Sequence, residues 1–158
     1  MAEDDTDRVW RLMETTRVCM FSNWDGARIH SRPMGALVRR DEHSIYFFTD
    51  ERAHKDDEIR RYPRVCLAFA DTGSEEYVSI SGTAIVSDDR DKIGQLWSAG
   101  AKVWWGEPDN PAIRLITVRP EEAEFWDSPG RVISNLKVAF ALATGTHLDP
   151  GRHKQVRP

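Results

Sequence analysis

Three side chains whose chemistry suits a small anion lie near one another in the sequence. Arg32 falls within the segment 30–34, Thr49 ends an apolar run, and Lys55 follows six residues later. A guanidinium offers a fixed fork of N–H donors, and an ammonium offers a point charge. If a helix begins at Lys55, its free backbone N–H groups add partial positive charge. This set would suit a phosphate monoester, although Arg32 and Lys55 also fit the alternative of ordinary solvated charges.

Two strands and a short helix must position these residues. A strand at about 27–38 carries Arg32, and the β-branched and aromatic run 44–49 predicts the next strand. A polar helix over 55–62 ends before Pro63. If the two strands pair, the side chains of Arg32 and Thr49 meet beside the start of this helix.

The remaining pattern is typical of an all-β domain with a few helices. Further strands are predicted at 18–22, 65–69, 77–86, 113–118 and 123–126, and helices near 9–13, from Ser87 to about Ser98, and at 132–143. Asp25-Gly26 is a hairpin signal, and Gly82 inside a strand predicts a bulge or a close backbone approach. Short hairpin-linked strands indicate a mainly β fold, an antiparallel split β-barrel with short flanking helices.

Length and composition limit the function classes. The 158 residues predict one domain, residues 1–158, with loose tails at 1–6 and 147–158. A net charge of −4 argues against a nucleic-acid partner, yet residues 28–64 contain 9 basic and 7 acidic side chains. Neither a leader nor a membrane-length apolar run is present, and Cys19 and Cys66 lack a paired spacing. We therefore expect a cytoplasmic protein with reduced thiols and no membrane association.

Other chemistries find no pattern in the sequence. The five histidines are scattered without the spacing of metal ligands, so no metal site is predicted. No Gly-x-Ser-x-Gly elbow occurs, and neither cysteine has an adjacent basic cluster that would activate it.

An ordered set of short motifs resembles the pyridoxamine 5′-phosphate oxidase-like family, in its general stress protein branch. The resemblance covers about residues 7–145 and is carried by Arg32-Pro33-Met34, the run 46–55, residues 79–83, Trp104-Trp105 and the segment 123–126. It implies an FMN-binding split barrel with the flavin at a homodimer interface. FAD or a deazaflavin would be alternative cofactors.

The resemblance also assigns roles to residues. Arg32, Lys55 and Thr49 would hold the flavin phosphate, His54 occupies the place of a second basic residue, and Pro33 and Met34 would present backbone to the ring. Tyr77 is expected near the ring, and Trp126 near the flavin of the partner subunit. Phe48 and Trp105 are further candidates for cofactor binding, with loop or interface packing as the alternative for Trp105. Trp126 fits core or dimer packing equally well.

One departure from the family bears on activity. The oxidases continue after their Phe-Trp into a motif whose Arg and His hold the substrate phosphate, whereas only Arg131 remains as an equivalent here. Oxidation of pyridoxamine phosphate is therefore not expected, and no catalytic residue is assigned. The sequence favours a flavin-dependent oxidoreductase of unknown substrate, with a non-catalytic flavin-binding or stress-response protein as the alternative.

Overall fold

Within the described residues, eight antiparallel strands form one sheet. The computed structural model describes residues 4–53, 55–128, 141–145 and 152–158. The strands are β1 Val18–Trp24, β2 Ile29–Gly35, β3 Leu37–Arg39, β4 Ser44–Asp50, β5 Arg64–Asp71, β6 Glu76–Ser87, β7 Ile113–Asp127 and β8 Arg152–Val156. Their order is β2-β1-β5-β6-β7-β4-β3, and β8 pairs with β7 beyond the end of β4.

The sheet curls because its two edge strands are neighbours in the sequence. β2 and β3 lie at opposite ends of the strand order, but only Ala36 separates them. The Ala36 N–H donates to the Arg17 carbonyl oxygen at 2.7 Å, which fixes this corner. The curled antiparallel sheet confirms the predicted split-barrel fold class.

Side chains alternate between the barrel interior and an outer face. Phe21 of β1 and Phe47 of β4 meet edge to face across the interior, with ring centroids 5.2 Å apart. Other strand residues in this core include Leu67, Ile80 and Phe125, all at most 1% exposed. The outer face exposes apolar side chains instead: Val18, Met20, Trp24, Ile29, Tyr77, Ile85 and Trp126.

The α-helices that lie wholly within the described ranges are α1 Asp5–Thr16, α2 Lys55–Arg61, α3 Arg90–Leu96 and α4 Ala99–Trp105. α1 buries Val9, Trp10, Leu12 and Met13 in the main core. α3 begins after Asp89, whose side chain accepts from the Lys92 N–H at 2.9 Å, so Ser87 is not the cap that the sequence predicted. None of the helices in the described ranges combines the length and apolar character that crossing a bilayer requires.

Two local predictions from glycine positions, a hairpin turn and a strand bulge, are confirmed. Asp25 accepts from the N–H groups of Ala27 and Arg28 at 2.7 and 2.8 Å, and Gly26 has a φ of 102°, which closes the β1–β2 hairpin. The register between β6 and β7 shifts at Ser81/Gly82. A Cβ on Gly82 would lie 2.4 Å from the Arg119 carbonyl oxygen, so the bulge and the close backbone approach occur together.

Other predicted boundaries are wrong. The strand expected over 27–38 breaks into β2 and β3, and the two strands expected at 113–118 and 123–126 form the single bulged β7. The tail is not loose throughout, because residues 152–156 pair with β7 as β8, and α1 starts at Asp5 within the expected N-terminal tail. Residues 132–140 of the helix predicted at 132–143 lie outside the described ranges, and residues 141–143 are helical.

Candidate functional site

Arg32 and Thr49 reach the same end of the barrel by a route that the sequence did not predict. Their strands do not pair, since Arg32 of β2 lies opposite Phe21 of β1, and β4 pairs instead with β3 and β7. The curl of the sheet brings β4 toward β1 and its neighbour β2, as the contact between Phe21 and Phe47 across the interior shows. Thr49 lies two residues beyond Phe47 and faces the same way.

Arg32 and Lys55 form a pair of neighbouring cations. Both side chains are half-buried, and within the described part of the chain neither forms an ion pair. Burial lowers the pKa of the Lys55 ammonium, and repulsion from the Arg32 guanidinium lowers it further. Glu58 offsets part of this effect on Lys55, but no carboxylate forms an ion pair with either cation among the described residues, and a bound anion would stabilise both.

Thr49 adds an unused hydroxyl to this end of the barrel. Its side chain is 2% exposed, and Oγ1 has no hydrogen-bond partner. A buried polar group is normally paired, so a buried hydroxyl without a partner at this end of the barrel suits an anionic ligand. The hydroxyl can donate to an anionic oxygen.

Asn23 and Glu58 complete the surroundings, and sequence reasoning missed both. Arg32 Nη2 donates to Asn23 Oδ1 at 3.2 Å, and Asn23 Nδ2 donates to Glu58 Oε2 at 2.8 Å. The available signal was the alternation of β1, which directs Cys19, Phe21 and Asn23 inward. A polar residue in that series is out of place unless it has partners.

The start of α2 contributes less than the sequence predicted. Lys55 opens the helix, but Asp56, Asp57 and Glu58 occupy its first turn. These carboxylates oppose the partial positive charge of the helix terminus toward an incoming anion. The attraction at this site therefore comes from the side chains of Arg32 and Lys55.

The other predicted residues divide into separate groups. Pro33 is exposed, and Met34 is 9% exposed and belongs to the core. Phe48 contacts Trp97 at a ring distance of 5.6 Å, and it shares a second apolar cluster with Trp105. His54 lies outside the described residues.

Tyr77 and Trp126 are far from Thr49 within one chain. They pair across β6 and β7 on the outer face, where Trp126 is 37% exposed and stacks on His153 at 4.9 Å. Thr49 lies opposite Arg114, and Trp126 is twelve positions further along β7, roughly 40 Å along an extended strand. Trp126 and Thr49 therefore lie near opposite ends of the two paired strands.

Comparison with known proteins places this geometry in a family. The family model described as pyridoxamine 5′-phosphate oxidase like matches residues 4–149. The structure of a general stress family protein from Xanthomonas campestris pv. campestris is 26% identical, with 83% of this chain and 93% of that chain covered and a TM-score of 0.72. The general stress FMN/FAD binding protein from Xanthomonas citri is 25% identical, with 78% and 89% covered and a TM-score of 0.71.

Two further matches have lower sequence identity. A structure named for general stress protein 26 from Jannaschia sp. CCS1 is 24% identical, covers 96% of this chain and 97% of its own, and has a TM-score of 0.74, which supports the fold. Protein bli-3 from Neurospora crassa is 23% identical over 111 residues, or 64% of this chain. The chain spans 53% of that curated relative. Because the family model matches most of the sequence, the chain belongs to the pyridoxamine 5′-phosphate oxidase-like family.

Proposed function

We propose that this chain binds FMN, with Arg32, Lys55 and Thr49 holding the flavin phosphate. The observation that carries the proposal is the pair of half-buried cations without an ion pair among the described residues, with the unpartnered Thr49 hydroxyl at the same end of the barrel. A phosphate dianion would neutralise both cations and accept a hydrogen bond from Thr49. The flavin-binding relative from Xanthomonas citri supports this choice of cofactor.

The residues next to Arg32 fit the rest of the cofactor. Pro33 and Met34 follow it on β2, an edge strand of the sheet, and Pro33 is exposed. Their backbone would border the flavin ring, as the family resemblance implies. Bound FMN would supply electron transfer, while the protein binds and orients it.

We further propose a homodimer that forms through the outer face of the sheet. That face exposes Ile29 of β2 at 71%, Ile85 of β6 at 56% and Val18 of β1 at 53%, and exposed apolar side chains of this kind mark interaction sites. A second copy would cover these residues. The dimer would also bring Trp126 of one copy toward the flavin that the other copy binds.

The activity that fits best is a flavin-dependent oxidoreductase acting on a small molecule in the cytoplasm. One observation favours flavin binding without turnover as a second candidate. The oxidases continue after their Phe-Trp into the motif that holds the substrate phosphate. In this chain Asp127 follows Trp126 and is bound to Arg8 of α1 at 2.7 Å, so this position takes part in a structural ion pair instead. Oxidation of pyridoxamine 5′-phosphate is not expected of this chain.

Cofactor binding is tested by titrating the purified protein with FMN and with riboflavin, which lacks the phosphate. Flavin fluorescence gives both affinities, and the absorption spectrum shows whether flavin copurifies. Arg32→Ala should weaken FMN binding by roughly 10- to 150-fold, the value of a charge-assisted hydrogen bond, and leave riboflavin binding unchanged. The matched control is Arg60→Ala, a mostly exposed arginine of α2. Equal FMN affinity in wild type and Arg32→Ala would refute the phosphate assignment.

The dimer is tested by light scattering of the wild type and of Met20→Lys. Met20 of β1 is 42% exposed on the outer face, and burying a lysine there would weaken the association of two copies. We expect a wild-type dimer and a monomeric Met20→Lys. Gln95→Lys on α3 adds the same charge away from this face and should remain dimeric. A monomeric wild type saturated with FMN would contradict the proposal.

A further inference from the structure

A buried amide lies between the guanidinium of Arg32 and the carboxylate of Glu58. Asn23 is 2% exposed and lies on the inward face of β1. Its Oδ1 accepts from Arg32 Nη2 at 3.2 Å, and its Nδ2 donates to Glu58 Oε2 at 2.8 Å. A guanidinium can only donate and an ionised carboxylate can only accept, so these partners fix the orientation of the amide.

The amide keeps Arg32 and Glu58 apart while holding both. No ion pair joins Arg32 to Glu58 among the described residues, although both contact the same side chain. One of the five guanidinium N–H groups is used by Asn23, and the others stay available to a ligand. The charge of Arg32 is also not cancelled by a direct carboxylate contact.

Glu58 acts on the second cation as well. Its charge opposes the lowering of the Lys55 pKa, so it helps Lys55 keep its proton despite burial and despite Arg32. Lys55 and Glu58 are three residues apart on α2 and thus share a helix face. Asn23 therefore connects Arg32 to the element that carries Lys55.

We propose that Asn23 is the positioning residue of the phosphate site: it directs Arg32 toward the anion and prevents Arg32 from collapsing onto Glu58. The proposal rests on the proposed FMN site. Each substitution at position 23 then has a distinct result. Alanine frees Arg32 to pair with Glu58, whereas aspartate places a second carboxylate against Arg32 and competes with phosphate.

The experiment measures FMN and riboflavin affinities and melting temperature for the wild type, Asn23→Ala, Asn23→Asp, Glu58→Gln and the double variant Asn23→Ala/Glu58→Gln. Asn23→Ala should weaken FMN binding roughly tenfold and leave riboflavin binding unchanged. Asn23→Asp should weaken FMN binding at least as much. Glu58→Gln added to Asn23→Ala should recover most of the FMN affinity, because glutamine gives Arg32 no ion-pair partner.

Several outcomes overturn the positioning role. Equal losses for FMN and riboflavin would indicate a merely structural asparagine, and a wild-type FMN affinity in Asn23→Asp would exclude competition. If Asn23→Ala does not fold, the near-isosteric Asn23→Asp decides.

Inorganic phosphate separates this inference from the function that it deepens. If the wild type binds no flavin, the FMN proposal fails, but the melting temperature in phosphate still reports the anion site. A phosphate-dependent rise that Asn23→Asp loses supports the positioning role. A rise that Asn23→Asp keeps, or no rise in the wild type, overturns it.

Discussion

Gly82→Ala is expected to destabilise the protein through one backbone contact. The added Cβ would lie 2.4 Å from the Arg119 carbonyl oxygen and 3.1 Å from its carbonyl carbon. Both atoms belong to the backbone of β7, which is paired with β6 along its length, so neither can rotate away. Overpacking of this kind costs roughly 1–3 kcal/mol, or about 2–12 °C in melting temperature for a chain of this size.

Gly94→Ala is the matched control, because the chemical change is the same and the surroundings are open. Gly94 lies inside α3, and apart from its chain neighbours and the backbone of that helix no atom lies within 4 Å of its added Cβ. Alanine in a helix interior is favoured over glycine by roughly 0.5–1 kcal/mol, so the melting temperature should rise. Differential scanning calorimetry of the three proteins gives both changes. A Gly82→Ala variant as stable as the wild type would refute the close approach.

Two further predictions concern pH. Burial and Arg32 lower the pKa of Lys55, so FMN affinity should fall as the pH rises through that lowered value. Lys55→Arg stays charged and should keep its FMN affinity to higher pH. FMN titrations of both proteins from neutral to alkaline pH test this, and parallel curves would show that Lys55 is not at the site. The pKa of Asp25 is well below its ordinary value because the N–H groups of Arg28 and Ala27, and then His30, bind the carboxylate. Its contribution to stability is complete above the ordinary aspartate pKa and is lost as the pH falls toward the lowered value. Asp25→Asn should therefore show a flatter acid decline in urea midpoints, and identical slopes would contradict this.

The sequence could predict much of the local structure and three residues of the proposed anion site. Alternation reveals β6, Asp25-Gly26 marks the hairpin, and Gly82 marks the bulge, because each of these signals acts over a few residues. The residue types of Arg32, Thr49 and Lys55 also suit one ligand without knowledge of the fold.

The sequence could not predict how these residues meet. The break at Ala36 sends β2 and β3 to opposite edges of the sheet, and nothing local in the segment 27–38 marks a change of partner. Asn23 depends in the same way on Glu58, which lies 35 residues later in the sequence. β8 was missed because its side chains are polar and mostly exposed, so the strand shows no apolar alternation.

β8 protects the sheet from unwanted association. On one side β7 pairs with β6 throughout, but on the other side β4 covers only 113–118, and β8 covers 123–127. Between them, the Pro120 carbonyl oxygen is within 3.2 Å of His43 Nε2. Removing residues 152–156 would leave five residues of β7 as an open edge beside Trp126, a template for edge-to-edge aggregation between chains. Pairing with β8 thus covers an edge of β7 that could otherwise pair with another chain. A chain that lacks residues 152–156 is expected to be less soluble even with its barrel core intact.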